Sequence, residues 1–428
     1  MTDSATTLSL DSWDHWLTAR TALRFARVND LRLAASALIY SAALFGCSSE
    51  ALDSPDDTPG GAAGSGGTTG TGATSGAAAT SGASGSGIVD IYTPKTKVPF
   101  SATALAFNPM VSGELWVTLR QFPSGKPCAK DGDAGCAALP GVIAVVSNAT
   151  GAAPAAVIKE DGNAWHFMRR PSALAWGDGL LFAACGEALT DNLEDGGDPY
   201  SGPVLWSSDS TIFGVKPTAA QNGTHLDMLH ETPYCMGIAH ESANAFWAFN
   251  GDAGSLDRVD FHRPHAVGGA DHSDGEVTRY ITGQLLRVPE IPSHLVYDSA
   301  RSLVYVVDTG HGRVLSVDPS TAKLAGPIAV YETLQSSGAM DGATLSELVP
   351  PGLLQQPSGI ALANDTLYVT DNATSLVYAF DTSGRLQHTY DTALPTGSLA
   401  GITLGPDSKL YLTDLLSGGV HRVELTAP

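Results

Sequence analysis

The sequence predicts an all-β fold, a β-propeller of six blades, which follows a signal peptide and a flexible tether. Six segments share one pattern: a small residue and a short apolar strand, then a polar turn, then a strand that carries an aromatic residue. Most of these repeats continue with a third strand of alternating apolar and polar residues, which is typical of a strand with one buried face. No long amphipathic helix is predicted after residue 88. Together these features predict a repeated, all-β domain.

The first strands of the six repeats lie between 42 and 69 residues apart, so the insertions fall in loops and not in strands. Four antiparallel strands per repeat form one blade of a propeller. Blades bury their faces against their neighbours, so residues 88–428 do not need one large core. The first strands read Thr103-Ala-Leu-Ala-Phe, Ser172-Ala-Leu-Ala-Trp, Met236-Gly-Ile-Ala-His, Ser293-His-Leu-Val-Tyr, Ser358-Gly-Ile-Ala-Leu and Ala400-Gly-Ile-Thr-Leu.

Two stretches of the second half carry a family resemblance. The run Asp308-Thr-Gly-His-Gly-Arg-Val follows an apolar strand, and Pro357-Ser-Gly-Ile-Ala precedes Leu367-Tyr-Val-Thr-Asp. Both resemble NHL repeats, and the similarity extends over residues 290–425. Blades 1 to 3 carry long insertions and match by pattern alone. The resemblance implies a six-bladed propeller of the NHL/TolB-like kind.

The N-terminal region has the pattern of an export signal. An uncharged apolar run from Leu33 to Gly46 follows two arginines and is too short to span a bilayer. The run ends in Leu44-Phe45-Gly46-Cys47, which resembles a bacterial lipobox and implies a lipid on Cys47. A buried helix that ends in an ordinary cysteine is the alternative. Residues 1–46 are therefore predicted to be a lipoprotein signal peptide, and the acidic residues near the N-terminus suggest Val28 as another start.

Residues 47–87 are predicted to be the lipidated cysteine and a disordered tether. All 28 residues from Gly60 to Gly87 are Gly, Ala, Ser or Thr, which cannot bury enough apolar area to offset chain entropy. Ser48 after the cysteine resembles outer-membrane sorting. We expect an outer-membrane lipoprotein that faces the periplasm or the cell surface, with the membrane as partner through the lipid. We also expect a monomer, and a net charge of -21 disfavours nucleic acid as a partner.

The cysteines and the first strand after the tether give two structural predictions. Four cysteines remain besides Cys47, and an even number in an exported protein predicts two disulfides. Cys128 and Cys136 would close a nine-residue loop, and Cys185 and Cys235 lie at strand ends on the same face of neighbouring blades, so the predicted pairs are Cys128–Cys136 and Cys185–Cys235. The last repeat has only three strands before the chain ends, which would leave an exposed edge. We therefore predict that residues 88–92, Ile-Val-Asp-Ile-Tyr, form the outer strand of blade 6 and close the ring.

One end of the propeller is the candidate binding face, because the first strand of each blade starts there and the second strand ends there. Its aspartates could hold a divalent cation through oxygen ligands. We favour a structural role for Asp308, Asp371 and Asp414, in which each carboxylate caps a turn. The candidate residues of this face are Arg120, Ser172, Asn250, His294, Asp308, Ser358, Asp371 and Asp414.

Two enzyme families that share this fold lack their defining residues here. The peptide-amidating lyases resemble the chain in blade layout, but serines such as Ser172 and Ser358 occupy the positions of their zinc histidines, and His294 is shifted by one residue. The gluconolactonase-like propellers carry a glutamate at the first blade, and the first strand here has none. Neither activity is supported by the resemblance.

One further group of residues could bind metal. The loop with Asp271, Asp274 and Glu276 is a candidate calcium site, although a solvated acidic turn is the favoured interpretation. No zinc spacing is recognised, so no cofactor is predicted, and calcium or zinc stay hypotheses. Histidines are concentrated in blades 2 and 3, at His225, His230, His240, His262, His265 and His272.

Two functions follow from these observations. The favoured one is a membrane-anchored, extracytoplasmic binding module for a protein, peptide or glycan, without catalysis. The alternative is a metal-dependent hydrolase or lyase of the lactonase-like or amidating-lyase-like propeller type. Fold alone does not decide between them.

Overall fold

The computed structural model is a ring of six small β-sheets, so the predicted six-bladed propeller is confirmed. The structure describes residues 84–85, 88–95, 100–121, 140–190, 200–215 and 222–424. The predicted signal peptide, Cys47, most of the tether, Cys128 and Cys136 lie outside the described residues. No helix in those ranges combines the length and the apolar character of a membrane span.

Strands are numbered in chain order, and two of them precede the first blade: β1 (Ser84–Gly85) and β2 (Ile88–Tyr92). Blades 1 to 3 each contain four consecutive strands, with the first strand innermost. A short helix, α1 (Ala164–Phe167), lies between blades 1 and 2 in the chain. The strands are β3 (Phe100–Phe107), β4 (Leu115–Gln121), β5 (Val142–Ser147) and β6 (Ala155–Lys159) in blade 1; β7 (Pro171–Trp176), β8 (Leu181–Gly186), β9 (Val204–Ser207) and β10 (His225–Met228) in blade 2; and β11 (Cys235–Ser242), β12 (Ala245–Asn250), β13 (Ser255–Asp260) and β14 (Glu276–Tyr280) in blade 3.

The second half of the chain forms blades 4 to 6. Blade 4 is interrupted by an insertion between its third and fourth strands, which contains a 3-10 turn (Pro319–Thr321) and the strands β18 (Lys323–Gly326) and β19 (Ser336–Asp341). The blade strands are β15 (Leu295–Asp298), β16 (Leu303–Asp308), β17 (Arg313–Asp318) and β20 (Thr344–Val349) in blade 4; β21 (Pro357–Ala363), β22 (Thr366–Asp371), β23 (Leu376–Asp381) and β24 (Leu386–Asp391) in blade 5; and β25 (Leu399–Leu404), β26 (Leu410–Asp414) and β27 (Val420–Val423) in blade 6.

The fourth strand of blade 6 comes from the N-terminal side of the domain, as predicted. Strand β2 pairs antiparallel with β27, with Ile88 opposite Val423 and Val89 opposite Arg422. Ile91 is 6% exposed and packs in the apolar cluster between blades 6 and 1. The Nδ1 atom of His421 lies 2.7 Å from a carboxylate oxygen of Asp90, which adds a polar contact to the strand pair. Residues 88–92 therefore close the ring.

Strand pairing also extends two of the blades. Strand β19 of the blade 4 insertion pairs in parallel with β14, and β18 continues outward, so that the sheet of blade 3 has six strands. Strand β1 pairs in parallel with β24 at the outer edge of blade 5. The blade 4 insertion therefore pairs with the sheet of blade 3, although it lies between two strands of blade 4 in the sequence.

The hydrophobic core is divided into six clusters, each between two neighbouring blades. Trp116 of blade 1, for example, is 2% exposed and makes edge contacts with Trp176 and Phe182 of blade 2. Aromatic pairs of this geometry add to the free energy of apolar burial. The apolar face of each predicted strand is thus buried against the next blade.

Glycine in the innermost strands allows neighbouring blades to approach closely. A Cβ atom on Gly359 would lie 2.2 Å from the backbone oxygen of Ala400, and one on Gly237 would lie 2.3 Å from that of Ser293. Contacts this short cannot be accommodated without movement of the backbone. The Gly-Ile element of the repeats is therefore explained by the narrow centre of the ring.

The predicted bridge between Cys185 and Cys235 is present, with a Cα–Cα distance of 5.7 Å. It joins the second strand of blade 2 to the first strand of blade 3, at the same end of the propeller. The pairing of strand ends from adjacent blades was the basis of the prediction.

Candidate functional site

The candidate binding residues lie at or next to the starts of first strands and the ends of second strands, and seven of the eight are buried. Asp371 and Asp414 have the capping role that the sequence favoured, because each carboxylate accepts a hydrogen bond from a backbone N–H of the turn that follows it. The Asp308 carboxylate instead accepts one from the distant backbone N–H of Leu286 and pairs with Arg313, so the prediction that it caps its own turn is wrong. One carboxylate oxygen of Asp371 accepts hydrogen bonds from the backbone N–H groups of Gln355 (2.6 Å) and Gln356 (3.2 Å), and the other accepts one from Thr374 (3.0 Å). The buried members are Arg120, Ser172, Asn250, Asp308, Ser358, Asp371 and Asp414.

A group of paired charges lies at this end of the channel. Arg120 is 1% exposed, and its Nη1 atom lies 3.1 Å from a carboxylate oxygen of Glu187 and 2.7 Å from one of Glu290. Arg287 contacts the second oxygen of Glu187 at 2.7 Å, and Arg170 pairs with Glu290. Both glutamates are thus paired with arginines within the protein.

His294 crosses the centre of the ring below these charges. Its backbone N–H donates to the carbonyl oxygen of Ser358 of blade 5 (2.8 Å), and its Nε2 lies 3.0 Å from the carbonyl oxygen of Ser172 of blade 2. Burial lowers the pKa of His294 to about 4, so the ring is neutral at pH 7 and Nε2–H donates to that carbonyl. His294 thus links three blades.

The central channel has a volume of about 310 Å³ and is lined by the innermost strands. At the end opposite to the predicted face, its lining includes Trp176, His240 and Tyr297, all of them partly exposed. Seven of the eight residues at the predicted face are buried, as described above. Ligand binding at the predicted face stays a prediction.

The acidic loop does not assemble a set of ligands. Asp271 is exposed and accepts hydrogen bonds from the backbone N–H (3.2 Å) and the hydroxyl (2.6 Å) of Ser273. Glu276 accepts a hydrogen bond from Gln335 (2.8 Å), while Asp274 lies 3.3 Å from the backbone nitrogen of Arg263. Among the described residues, the groups that converge closely enough to hold a metal ion include none of these three carboxylates.

Three histidines converge instead at the outer edge of blades 2 and 3. His225 begins β10 of blade 2, whereas His265 and His272 lie in the connection between β13 and β14 of blade 3. One ring nitrogen of each lies within 4.8 Å of one ring nitrogen of each of the others. In the described part of the chain, the Nε2 atoms of all three are buried and have no hydrogen-bond partner. We call these residues the histidine triad.

The other ring nitrogen of each histidine is already engaged. Nδ1 of His225 lies 3.0 Å from the carbonyl oxygen of Asn222, and Nδ1 of His265 lies 2.6 Å from that of Ala266. Nδ1 of His272 lies 3.0 Å from a carboxylate oxygen of Glu332. An acceptor at Nδ1 places the proton there and leaves the Nε2 lone pair free, which is the arrangement of metal-binding histidines.

The electrostatics of the triad favour the neutral form of its most buried ring. Burial, together with the neighbouring rings of His265 and His272, lowers the pKa of His225 to about 3. Burial also lowers the pKa of His265. Burial would lower the pKa of His272 too, but its contact with Glu332 outweighs that effect and raises it. Neutral imidazole is the form that binds metal, so His225 needs no deprotonation at pH 7.

Glu332 connects the triad to a fourth histidine, His230. One carboxylate oxygen of Glu332 lies 3.0 Å from Nδ1 of His230 and accepts a hydrogen bond from the His230 backbone N–H at 2.8 Å. Burial opposes ionisation of this carboxyl, but the hydrogen bonds from His230 and His272 outweigh it and lower its pKa to about 2. Burial raises the pKa of the nearby Asp227 to about 7.

The sequence predicted a concentration of histidines in this region but not the triad. His225 and His265 are separated by 40 positions, and Glu332 follows only after a further blade has begun. No short motif could connect them. The available signal was the excess of histidine between residues 225 and 272.

Comparison with known proteins identifies similar solved structures but no family. No protein-family model and no curated protein matches this chain. Similar solved structures include an auxiliary nutrient binding protein from Bacteroides ovatus (10% identity, TM-score 0.48, covering 80% of this chain and 77% of that one). Another from Bacteroides thetaiotaomicron has 10% identity and a TM-score of 0.47, covering 79% of this chain and 76% of that one. A virginiamycin B lyase from Staphylococcus aureus has 11% identity and a TM-score of 0.38, covering 80% of this chain and 100% of that one.

Proposed function

We propose that this chain is an extracytoplasmic, lipid-anchored binding module whose propeller carries a zinc centre formed by His225, His265 and His272. The carrying observation is the convergence of their ring nitrogens within 4.8 Å, together with the buried, unbonded Nε2 atoms in the described residues. The location rests on the lipobox-like sequence around Cys47 and on the tether.

The spacing of the triad suits a small transition-metal ion. Zinc–nitrogen bonds of ~2.0–2.1 Å in tetrahedral geometry place two ligand nitrogens roughly 3.3 Å apart. Nitrogens that lie within 4.8 Å reach this spacing by side-chain shifts on the order of 1 Å. Imidazole nitrogen favours zinc over calcium, which prefers oxygen ligands. Zinc would therefore replace calcium as the expected metal.

A zinc-binding experiment on the full chain in detergent tests the proposal. The protein is loaded with Zn²⁺, dialysed, and analysed for bound metal by mass spectrometry. We expect one equivalent in the wild type and a loss of that equivalent in His265→Ala, which removes a partly exposed ligand. His240→Ala is the matched control, because His240 lies outside the triad and its Nε2 is 2.9 Å from the carbonyl oxygen of Ala243. A wild type that retains no more zinc than His265→Ala would contradict the proposal.

Hydrolysis or elimination at the zinc ion is the second candidate function. One observation favours it: three protein ligands leave a coordination position open, as in catalytic zinc sites. The triad supplies neutral imidazoles only, so the ion would retain its full charge to polarise a bound water or carbonyl group. Zinc-dependent hydrolysis of p-nitrophenyl acetate that is lost in His265→Ala would favour an enzyme, whereas stoichiometric zinc without turnover would favour the binding module.

A further inference from the structure

The segment 327–335 brings residues of blade 4 to the histidine triad. It connects β18 to β19, the two strands of the blade 4 insertion that extend the sheet of blade 3. Ile328 and Leu334 pack against the apolar cluster between blades 2 and 3. The backbone N–H of Gln335 donates to the carbonyl oxygen of Gly275 at 2.9 Å. The segment is thus fixed on the side of the ring where the triad lies.

The turn at the tip of this segment is held by a buried carboxylate of blade 2. Glu231 is 1% exposed and accepts hydrogen bonds from the backbone N–H groups of Tyr331 (2.7 Å) and Glu332 (3.4 Å). These contacts fix the backbone from which the Glu332 side chain extends. The backbone position of Glu332 is therefore fixed by contacts that do not involve the triad.

The Glu332 carboxylate, in turn, contacts both histidines beside it. One oxygen binds the backbone and ring nitrogens of His230, and the other lies 3.0 Å from Nδ1 of His272. A carboxylate at Nδ1 fixes the orientation of the ring, holds its proton on Nδ1, and makes Nε2 more basic. Of the three triad histidines, His272 alone has a side chain as its Nδ1 partner, and that partner comes from another blade.

We propose that Glu332 is a positioning residue of the zinc centre, and that zinc binding fastens segment 327–335 onto blades 2 and 3. This inference rests on the proposed zinc function. Glu332 does not touch the metal in this arrangement and acts through His272. Coupling runs in both directions: a change at Glu332 lowers zinc affinity, and bound zinc reduces the local opening of the segment that carries Glu332.

The first test compares zinc affinity in Glu332→Gln and Glu276→Gln, by competition with a chromophoric chelator. Glu276 is a matched control because it bonds Gln335 at the end of the same segment (2.8 Å) and is not part of the triad. We expect Glu332→Gln to weaken zinc binding ~10–100-fold, the effect typical of such orienting carboxylates. The absorption bands of bound Co²⁺ should also shift in Glu332→Gln, because the ligand field that His272 exerts on the metal changes. Glu276→Gln should have the zinc affinity and the Co²⁺ absorption bands of the wild type.

The second test uses the wild-type chain and does not depend on the folding of a variant. Amide hydrogen exchange is measured with and without Zn²⁺, and we expect zinc to slow exchange both in the connection that holds His265 and His272 and in segment 327–335. If zinc slowed exchange only in the connection that holds His265 and His272, the role of Glu332 would be refuted but the zinc centre would not. The same holds if Glu332→Gln and Glu276→Gln bound zinc with equal affinity. An absence of zinc binding by the wild type would instead refute the proposed function itself.

Discussion

Closure of the ring by β2 can be tested by a single substitution, Ile91→Ala. Ile91 is 6% exposed and lies in the cluster between blades 6 and 1, whereas Val89 on the same strand is 39% exposed. The two residues therefore provide a test and a control within one strand. Both substitutions leave the backbone hydrogen bonds to β27 in place, so any difference between them reports the burial of the side chain.

The expected loss follows from the size of the deleted side chain. Replacing a buried isoleucine by alanine costs ~2–5 kcal/mol, whereas a surface substitution usually changes stability by less than ~0.5 kcal/mol. The unfolding entropy of a domain of roughly 340 residues is about 0.7 kcal/mol per kelvin. We therefore expect Ile91→Ala to lower the melting temperature by ~3–7 °C, and Val89→Ala by less than ~1 °C.

Differential scanning calorimetry of the full chain is the appropriate assay, because it reports the enthalpy together with the melting temperature. A single transition shifted downward in Ile91→Ala would show that the latch strand unfolds with the ring. Equal melting temperatures for Ile91→Ala and the wild type would refute the reasoning, since β2 would then contribute nothing to the cooperative unit. An early, separate transition would instead show that the strand detaches before the ring unfolds.

Three further outcomes are expected. Burial tends to lower the pKa of His421, but its contacts with Asp414 and Asp90 outweigh burial and raise it. The contribution of His421 to the free energy of unfolding is therefore present at low pH and lost as pH rises through the folded pKa. In urea titrations, the stability difference between wild type and His421→Gln should be larger at pH 5.5 than at pH 9. Gly359→Ala should destabilise the domain by at least ~1–3 kcal/mol in the same titrations, because its Cβ would lie 2.2 Å from a backbone oxygen of blade 6; an unchanged midpoint would contradict this. Cys47→Ala should release the protein from membrane fractions, and continued sedimentation with membranes after a high-salt wash would argue against a lipid anchor.

The fold could be predicted because its determinants are local. Each blade repeats the same short strands, so Leu367-Tyr-Val-Thr and Leu410-Tyr-Leu-Thr identify equivalent second strands by themselves. The disulfide and the latch followed from strand order, because Cys185 and Cys235 lie at strand ends on adjacent blades and blade 6 lacked one strand.

The triad could not be predicted in this way, because its geometry depends on two insertions. In blade 5, β23 and β24 are joined by residues 382–385, whereas the equivalent connection in blade 3 comprises residues 261–275 and holds His265 and His272. The conformation of such a connection is set by its tertiary contacts, here with blade 2 and with the blade 4 insertion. Repeat pattern gives no information about a segment that departs from the repeat.

The difference between repeated and inserted segments explains where the candidate metal ligands lie. Aspartates that recur in the repeat, such as Asp308 and Asp371, are buried and accept hydrogen bonds from backbone N–H groups, so their carboxylates are used by the fold. The buried ring nitrogens that remain unbonded at the triad belong to residues that do not recur, on β10 and on the blade 3 insertion. A side chain at a repeated position would have to bind a ligand and also keep its hydrogen bonds to the backbone of the fold. A side chain in an insertion does not have to make those hydrogen bonds. The insertions of blades 2, 3 and 4 are for this reason the segments in which substitutions should alter function without opening the ring.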